Sequence, residues 1–179
     1  MKILGIIPAR YASTRFPAKA LVDIGGKSMI QRVYEQSVQA KKLDEIIIAT
    51  DDQRIFDHVT SFGGNAIMTS TEHQSGTDRC FEAYQKFNLK FDYIINIQGD
   101  EPFISPEPIN ELADVLDGQT ELATLIKIID SNDLLFNVNV PKAVINKRQE
   151  VMYFSRHTIP HLRNVPDNEW LNNHTFYKH

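Results

Sequence analysis

Length, composition and charge limit this protein to a few classes. Its 179 residues are 42% hydrophobic and 23% charged, which is typical of a globular domain with a sizeable core and excludes an intrinsically disordered chain. The formal net charge of −4 argues against a broad nucleic-acid or anionic-membrane surface, so any anion site must come from locally concentrated basic residues.

Short apolar, β-branched segments alternate with longer segments of helical period along the chain. The strand-like segments are residues 2–7, 45–50, 65–68, 93–97 and 122–129. Four amphipathic helices are predicted between and after them, with Asp51 capping the second, Ser75 the third and Ser105 the fourth, which Gly118 closes. Each helix has one apolar face. The residues on this face are Ile30 and Val33 in the first helix, Ile55 and Val59 in the second, Cys80 and Tyr84 in the third, and Ile109 and Leu112 in the fourth.

The arrangement of these segments predicts an α/β fold. Uniformly apolar strands separated by helices cannot pair as hairpins, so we expect a doubly wound, mainly parallel sheet with helices on both faces. Residues 142–146 and 150–155 flank a charged turn and predict a small antiparallel C-terminal region. We therefore expect a single domain over residues 1–179, with a core of about 1–130 and a C-terminal region of about 131–179.

Cysteine content and hydropathy bear on the compartment. Cys80 is the only cysteine, so an intrachain disulfide is impossible and a reduced cytoplasm is expected. The apolar run of residues 3–7 is too short for the core of a signal peptide, and no other run approaches bilayer length. We expect a cytoplasmic protein with neither a membrane nor a nucleic acid as its partner.

The loop after the first strand, residues 8–19, concentrates positive charge. It contains Arg10, Arg15 and Lys19 without an acidic side chain, and the Ser13 hydroxyl is a further donor for phosphate oxygens. Ligands of doubly wound sheets bind beyond the carboxyl ends of the strands, which favours an anion site here. The absence of G-x-x-x-x-G-K-[ST] and G-x-G-x-x-G removes the main support for P-loop and dinucleotide-binding proteins. The alternative is a solvated basic loop with prolines as rigid turns.

The segment after the fourth strand, Gln98-Gly-Asp-Glu-Pro, places two carboxylates at a strand terminus. Magnesium takes one or two carboxylates together with substrate phosphate oxygens, and Asp100 is the better candidate ligand because Glu101 precedes a proline and can instead fix the turn. A simple polar turn is the alternative. Opposite the basic loop, the segment favours a metal-triphosphate site.

A third loop leads into the third helix. Ser75 and Gly76 at its start are candidates for anion or base recognition through free backbone amides, although an ordinary helix cap explains them equally well. Arg79 either reaches the pocket or pairs with Asp78 or Glu82. Arg156 either binds a substrate carboxylate or pairs with a surface acid.

The sequence resembles the 3-deoxy-manno-octulosonate cytidylyltransferases, the family that makes CMP-Kdo. The resemblance covers the whole chain in order, and the first and fourth of its motifs are together highly specific. The matching segments are IIPARYASTR (6–15), ATD (49–51), HQSGTDR (73–79), NIQGDEP (96–102), YFSR (153–156) and FYKH (176–179).

The resemblance implies a Rossmann-like nucleotidyltransferase fold and transfer of CMP from CTP to Kdo, with release of pyrophosphate, for lipopolysaccharide biosynthesis. It implies that Mg²⁺ is required and that Asp100 is its ligand. Arg10 and Lys19 would hold the triphosphate, with Asp100 as the third catalytic residue, and Ser13 and Arg15 would support the loop. The cytidine would be framed by Pro8, Ala9, Ser75, Gly76, Arg79 and Gln98, and the sugar acid would face Arg156 and His179. Residues 131–179 would then be the sugar-side and dimerisation region of a homodimer.

Two departures from the family pattern stand out. The first motif of the family ends in a segment like P-G-K-P, whereas this sequence has Pro17-Ala-Lys-Ala20. The family also continues well past His179, with a second metal carboxylate among the later residues. A related enzyme for another sugar acid, such as sialic acid, and a truncated, non-catalytic nucleotide-binding module are the alternatives.

Overall fold

Strand β1 (Ile3–Ala9) lies inside the first sheet of the computed structural model, which describes residues 1–12 and 16–179. It pairs in parallel with β2 (Glu45–Thr50) on one side and with β4 (Tyr93–Asn96) on the other. Strand β3 (Ala66–Met68) adds to β2, so the strand order is β3-β2-β1-β4. All three pairings are parallel, which confirms the predicted α/β, doubly wound class.

Helices cover both faces of this sheet. The side chains of Ile3 and Ile7 face helices α1 (Met29–Ser37), α2 (Gln53–Ser61) and α4 (Pro106–Asp114), whereas Leu4 and Ile6 face α3 (Gly76–Lys86). Burial from both faces explains why β1 is apolar at successive positions instead of alternating with polar residues. This first unit extends over Met1–Ala123.

The helix boundaries confirm part of the predicted capping. Ser75 and Ser105 are the N-caps of α3 and α4. The predicted cap of α2, Asp51, was wrong, because the neighbouring Asp52 accepts the Arg54 amide at 3.0 Å while Asp51 pairs with a buried arginine. Helix α4 ends at Asp114, before Gly118, so the glycine does not close it.

The second unit, Thr124–His179, contains an antiparallel sheet. The predicted hairpin is confirmed as β6 (Lys142–Ile145) and β7 (Val151–Ser155). The predicted strand over residues 122–129 is reduced to β5 (Lys127–Ile128), which pairs in this sheet and not in the parallel one. Leu122 is 92% exposed, so the apolar start of that segment does not face the core. The remaining elements are α5 (Asn132–Phe136), α6 (Trp170–Asn173) and β8 (Tyr177–Lys178).

A buried lysine organises one end of the second sheet. Lys142 is 1% exposed, and its Nζ donates to the carbonyl oxygens of Asn137 at 2.6 Å and Arg156 at 3.3 Å. Burial lowers the pKa of Lys142 because the charged form loses its hydration.

Within the described ranges, no helix is both long and apolar enough to cross a membrane.

The close approach of two loops in the first unit depends on one glycine. A Cβ added to Gly99, just after β4, would lie 2.7 Å from the carbonyl oxygen of Pro8 in β1. A contact that short with backbone cannot be relieved by a side-chain movement. Gly99 therefore lets the segment after β4 lie directly beside the end of β1.

We expect Gly99→Ala to lower the free energy of unfolding by about 1–3 kcal/mol, the usual cost of overpacking. Gly76→Ala is the matched control, because its Cβ would meet side-chain atoms and no backbone, the Pro8 ring at 3.3 Å and Asn96 Nδ2 at 4.0 Å. Urea denaturation of both variants measures the difference. Equal stability of Gly99→Ala and the wild type would show that the close approach is not needed.

Candidate active site

A cavity of about 540 Å³ opens at the carboxyl ends of β1, β3 and β4 in the first unit. The three loops that carry the predicted site residues of this unit therefore meet at one cavity. Of the predicted site residues, the cavity is lined by Pro8, Ala9, Arg10, Lys19, Ser75, Gly76, Arg79, Gln98 and Asp100. Ser13 and Arg15 lie outside the described residues. Further lining residues are Phe16, Ala20, His73, Gln74 and Gly99.

The basic loop is closed by a backbone hydrogen bond. The amide of Ala18 donates to the carbonyl oxygen of Tyr11 at 2.9 Å. This bond joins the first arm of the loop, which contains Arg10 and Tyr11, to the second arm, which contains Ala18 and Lys19. Ala18 has φ 58° and ψ 20°, a left-handed conformation that glycine adopts more readily. At this position the family that the sequence resembles has glycine. Ala18 therefore holds a left-handed backbone conformation at a steric cost, and Lys19 follows it into the cavity.

The predicted phosphate cation and the predicted metal carboxylate meet in this cavity. Lys19 Nζ lies 2.7 Å from Asp100 Oδ2, and their side chains are 37% and 54% exposed. An ion pair this accessible to water contributes only about 0–1 kcal/mol. A polyphosphate can therefore displace Asp100 from Lys19, and a divalent cation can displace Lys19 from Asp100.

Arg79 is the buried charge of the site. Its side chain is 4% exposed, and it donates to Asp51 Oδ2 at 2.6 Å, to Thr69 Oγ1 at 2.5 Å and to the Ser70 carbonyl oxygen at 3.2 Å. The two partners considered from the sequence, Asp78 and Glu82, are not the residues it binds. Arg79 thus lines the cavity while joining the ends of β2 and β3 to the first turn of α3.

The start of α3 forms the wall of the cavity opposite the basic loop. Ser75 Oγ accepts the Asp78 amide at 3.1 Å and donates to Asp78 Oδ2 at 2.6 Å, which is a complete helix cap. Gly76 lies close to β1, since a Cβ there would be 3.3 Å from Pro8 Cγ. The capping role and the position beside the cavity are therefore both present, and the first amides of an 11-residue helix lie at the cavity wall.

His73 and Glu82 support this wall, and neither role was predicted. His73 Nε2 is hydrogen-bonded to Glu82 Oε2, which also accepts the Ser70 amide at 2.8 Å. Lys86 lies 2.6 Å from Glu82 Oε1, and mainly for that reason the pKa of Glu82 falls to about 2. No spacing rule predicts this pairing, because His73 lies in a loop and Glu82 is nine positions further along the chain, within a helix.

Arg156 and His179 lie in the second unit, at one end of its sheet. Strands β7 and β8 both run antiparallel to β6, and both end beside its first residue, Lys142. Arg156 is exposed and donates to the Asn139 carbonyl oxygen at 2.9 Å. His179 Nε2 lies 2.7 Å from Thr124 Oγ1. The second sheet therefore brings together the two residues that the resemblance assigns to the sugar acid.

Comparisons with known proteins agree in the type of enzyme. Residues 4–179 match a protein family described as cytidylyltransferase. The chain is similar to the 3-deoxy-manno-octulosonate cytidylyltransferases of Cytophaga hutchinsonii, with 57% identity over 180 residues, and Parabacteroides distasonis, with 56% over 184. Each alignment covers 100% of this chain and 72% of the relative. A solved structure of CMP:2-keto-3-deoxy-manno-octonic acid synthetase complexed with CTP is similar with a TM-score of 0.89 and 41% identity, over 100% of this chain and 71% of that one.

We expect Arg79→Met to lower the free energy of unfolding by about 3–5 kcal/mol, because it leaves the Asp51 carboxylate buried without its partner. Lys42→Met is the control, since it removes the exposed Lys42–Asp114 pair, whose atoms are 2.7 Å apart. That variant should cost less than about 1 kcal/mol. Urea unfolding tests both, and similar losses in the two variants would contradict a structural role for Arg79.

Acid should remove the contribution of Glu82 to stability. Because the folded-state pKa of Glu82 is about 2 against an ordinary value of 4.5, its contribution is complete above pH 4.5 and is lost as the pH falls towards 2. The side chain is 21% exposed, so we expect a contribution on the order of 2 kcal/mol at neutral pH.

Unfolding free energies of the wild type and Glu82→Gln, measured between pH 7 and pH 2, check this expectation. The difference between the two proteins should shrink as the pH falls below 4.5. Glu45→Gln controls for the loss of one exposed negative charge. A difference that stays constant with pH would show that the Glu82 carboxylate does not titrate at a lowered pKa.

Proposed function

Because this chain belongs to the cytidylyltransferase family, we propose that it transfers CMP from CTP to 3-deoxy-manno-octulosonate, with release of pyrophosphate. The observation that carries the proposal is the cavity in which Lys19 and Asp100, from two separate loops, meet beside the start of α3. This combination provides a cation for phosphate, a carboxylate for a metal and helix amides for the rest of the nucleotide. The similar synthetase with bound CTP supports the choice of nucleotide.

The reaction requires alignment and charge stabilisation more than covalent help from the protein. The anomeric hydroxyl of the sugar acid gives up its proton to the solvent and its oxygen forms a bond to the α-phosphorus. The bond from the α-phosphorus to the oxygen that bridges to the β-phosphorus breaks, and pyrophosphate leaves. Arg10 and Lys19 line the cavity and are the cations that stabilise the charge on the triphosphate. A protein nucleophile is not needed: burial raises the pKa of Cys80, the single thiol, to about 12.

The residues of the cavity fit a magnesium ion that is bound jointly with the substrate. Within the described parts of the chain, no three His, Cys, Asp or Glu residues are grouped to hold a metal without help. Mg²⁺ is commonly held by one or two carboxylates together with phosphate oxygens, and Asp100 supplies an exposed carboxylate beside the phosphate loop. Bound there, the ion would neutralise charge on the phosphates. Asp100 would then exchange Lys19 for the metal, and Lys19 would turn to the phosphates.

We assign the cytidine to the wall formed by the start of α3 and the end of β1. Backbone of Pro8 and Ala9, together with Ser75, Gly76 and Gln98, lies along this wall. Arg79 contributes as the buried group that keeps the wall in place. The sugar acid is assigned to Arg156 and His179, whose N–H donors suit a carboxylate. We further propose that the protein is a cytoplasmic homodimer in lipopolysaccharide biosynthesis.

Release of pyrophosphate from CTP in the presence of Mg²⁺ tests the function. We expect turnover with Kdo and none with sialic acid or without a sugar. Turnover with sialic acid alone would contradict the proposed acceptor. Tight CTP binding without turnover on any sugar acid would instead identify a nucleotide-binding module.

Lys19→Ala should lower kcat by roughly 100-fold or more, the usual cost of removing one group that stabilises transition-state charge. Lys27→Ala is the matched control, because Lys27 is an exposed lysine paired with Glu35 at 2.6 Å and is not in the cavity lining. Steady-state kinetics of both variants give the comparison. Near-normal kcat in Lys19→Ala would overturn the role of this lysine.

A further inference from the structure

Helix α2 contacts the basic loop through an aromatic ring. The guanidinium Cζ of Arg54 lies 3.3 Å from the centroid of the Tyr11 ring, a stacked cation–π contact. Arg54 is the second residue of α2, and Tyr11 directly follows Arg10, which lines the cavity. The contact therefore joins an element outside the cavity to the first arm of the loop that carries the cavity's positive charge.

The guanidinium is held in place from its own helix. Arg54 Nε donates to Asp52 Oδ1 at 2.8 Å, and Nη2 donates to Asp52 Oδ2 at 2.6 Å. This two-point contact fixes the plane of the guanidinium as well as its position. Asp52 is itself fixed because its carboxylate accepts the Arg54 amide as the N-cap of α2. The guanidinium above Tyr11 is thus positioned by the start of α2.

Tyr11 in turn connects both arms of the loop. Its ring is partly buried against the core on the face covered by α1, α2 and α4. Its carbonyl oxygen accepts the amide of Ala18, the residue before Lys19. Any movement of Tyr11 is therefore transmitted to Arg10 on one side and to Lys19 on the other.

We propose that Arg54 is a positioning residue for the nucleotide: by holding Tyr11, it keeps Arg10 and Lys19 in the arrangement that receives the triphosphate. This inference rests on the proposed function. The role does not extend to the sugar acid, since Tyr11 and Arg54 belong to the first unit and the sugar acid is assigned to Arg156 and His179 of the second. A surface ion pair without a positioning role would leave nucleotide binding unchanged.

Steady-state kinetics separate the two possibilities. We expect Arg54→Ala to raise the KM for CTP roughly three- to tenfold, the range that a single cation–π contact supports, while kcat and the KM for Kdo stay within about twofold. Tyr11→Leu should have the same effect, and Tyr11→Phe, which keeps the ring, should restore wild-type behaviour. The double variant Arg54→Ala/Tyr11→Leu should be no worse than Tyr11→Leu alone.

Arg148→Ala is the matched control. Arg148 is also exposed and donates twice to the carboxylate of Glu150, two residues away. It belongs to the second unit, and within the described residues its guanidinium lies over no aromatic ring. The KM of the Arg148→Ala variant for CTP should equal that of the wild type. An unchanged KM in Arg54→Ala, or an equal rise in Arg148→Ala, would overturn the proposal.

Hydrogen exchange at the Ala18 amide gives a readout that does not depend on nucleotide. Exchange should be faster in Arg54→Ala and Tyr11→Leu than in the wild type and Tyr11→Phe, with melting temperatures recorded to exclude global unfolding. Absence of CTP binding by the wild type would contradict the proposed function. The exchange rates would still show whether Arg54 and Tyr11 hold the loop in place. Equal exchange in Arg54→Ala and the wild type would show that Arg54 does not hold the loop.

Discussion

The buried ion pair between Arg79 and Asp51 is the constraint on which the cavity depends. Arg79 is on α3, Asp51 follows β2, and Thr69 and Ser70, which also accept from Arg79, follow β3. Backbone hydrogen bonds, such as the one from the Thr69 amide to the Thr50 carbonyl oxygen at 2.8 Å, hold β2 and β3 in register, whereas side-chain contacts attach a helix to these strand ends. Arg79 supplies three such contacts from one side chain and thereby fixes the start of α3 against the sheet. The position of Gly76 against Pro8 then follows, and with it the wall of the cavity.

The site contains a second ion pair with the opposite character. Lys19 and Asp100 are partly exposed to water, whereas Arg79 is almost completely buried. Separating a buried pair is costly, while an exposed pair exchanges its partners with little loss. One pair is therefore suited to maintain the wall, and the other is suited to open when a nucleotide and a metal arrive. Under the proposed function, this division would let the cavity keep its shape while Lys19 and Asp100 change partners.

The fold was largely predictable because burial leaves a periodic trace in the sequence. Strands buried on both faces are uniformly apolar, and the parallel topology then requires their following loops to meet at one rim. The roles of Asp51 and Glu82 were not predictable, because their partners are fixed by the packing of α3 and not by spacing along the chain. The strand predicted over residues 122–129 began too early at Leu122, because the sequence does not distinguish an exposed leucine from a buried one. The conformation of Ala18 was likewise hidden, although its replacement of a family glycine marked the position.

Calorimetric titration of CTP with and without Mg²⁺, on the wild type and Asp100→Asn, tests the central claim most directly. If Asp100 holds the metal and restrains Lys19 in its absence, Asp100→Asn should bind metal-free CTP at least as tightly as the wild type does. The same variant should lose most of the gain in affinity that Mg²⁺ gives the wild type. An Asp100→Asn variant with the full wild-type response to Mg²⁺ would contradict the exchange of partners between Lys19 and Asp100.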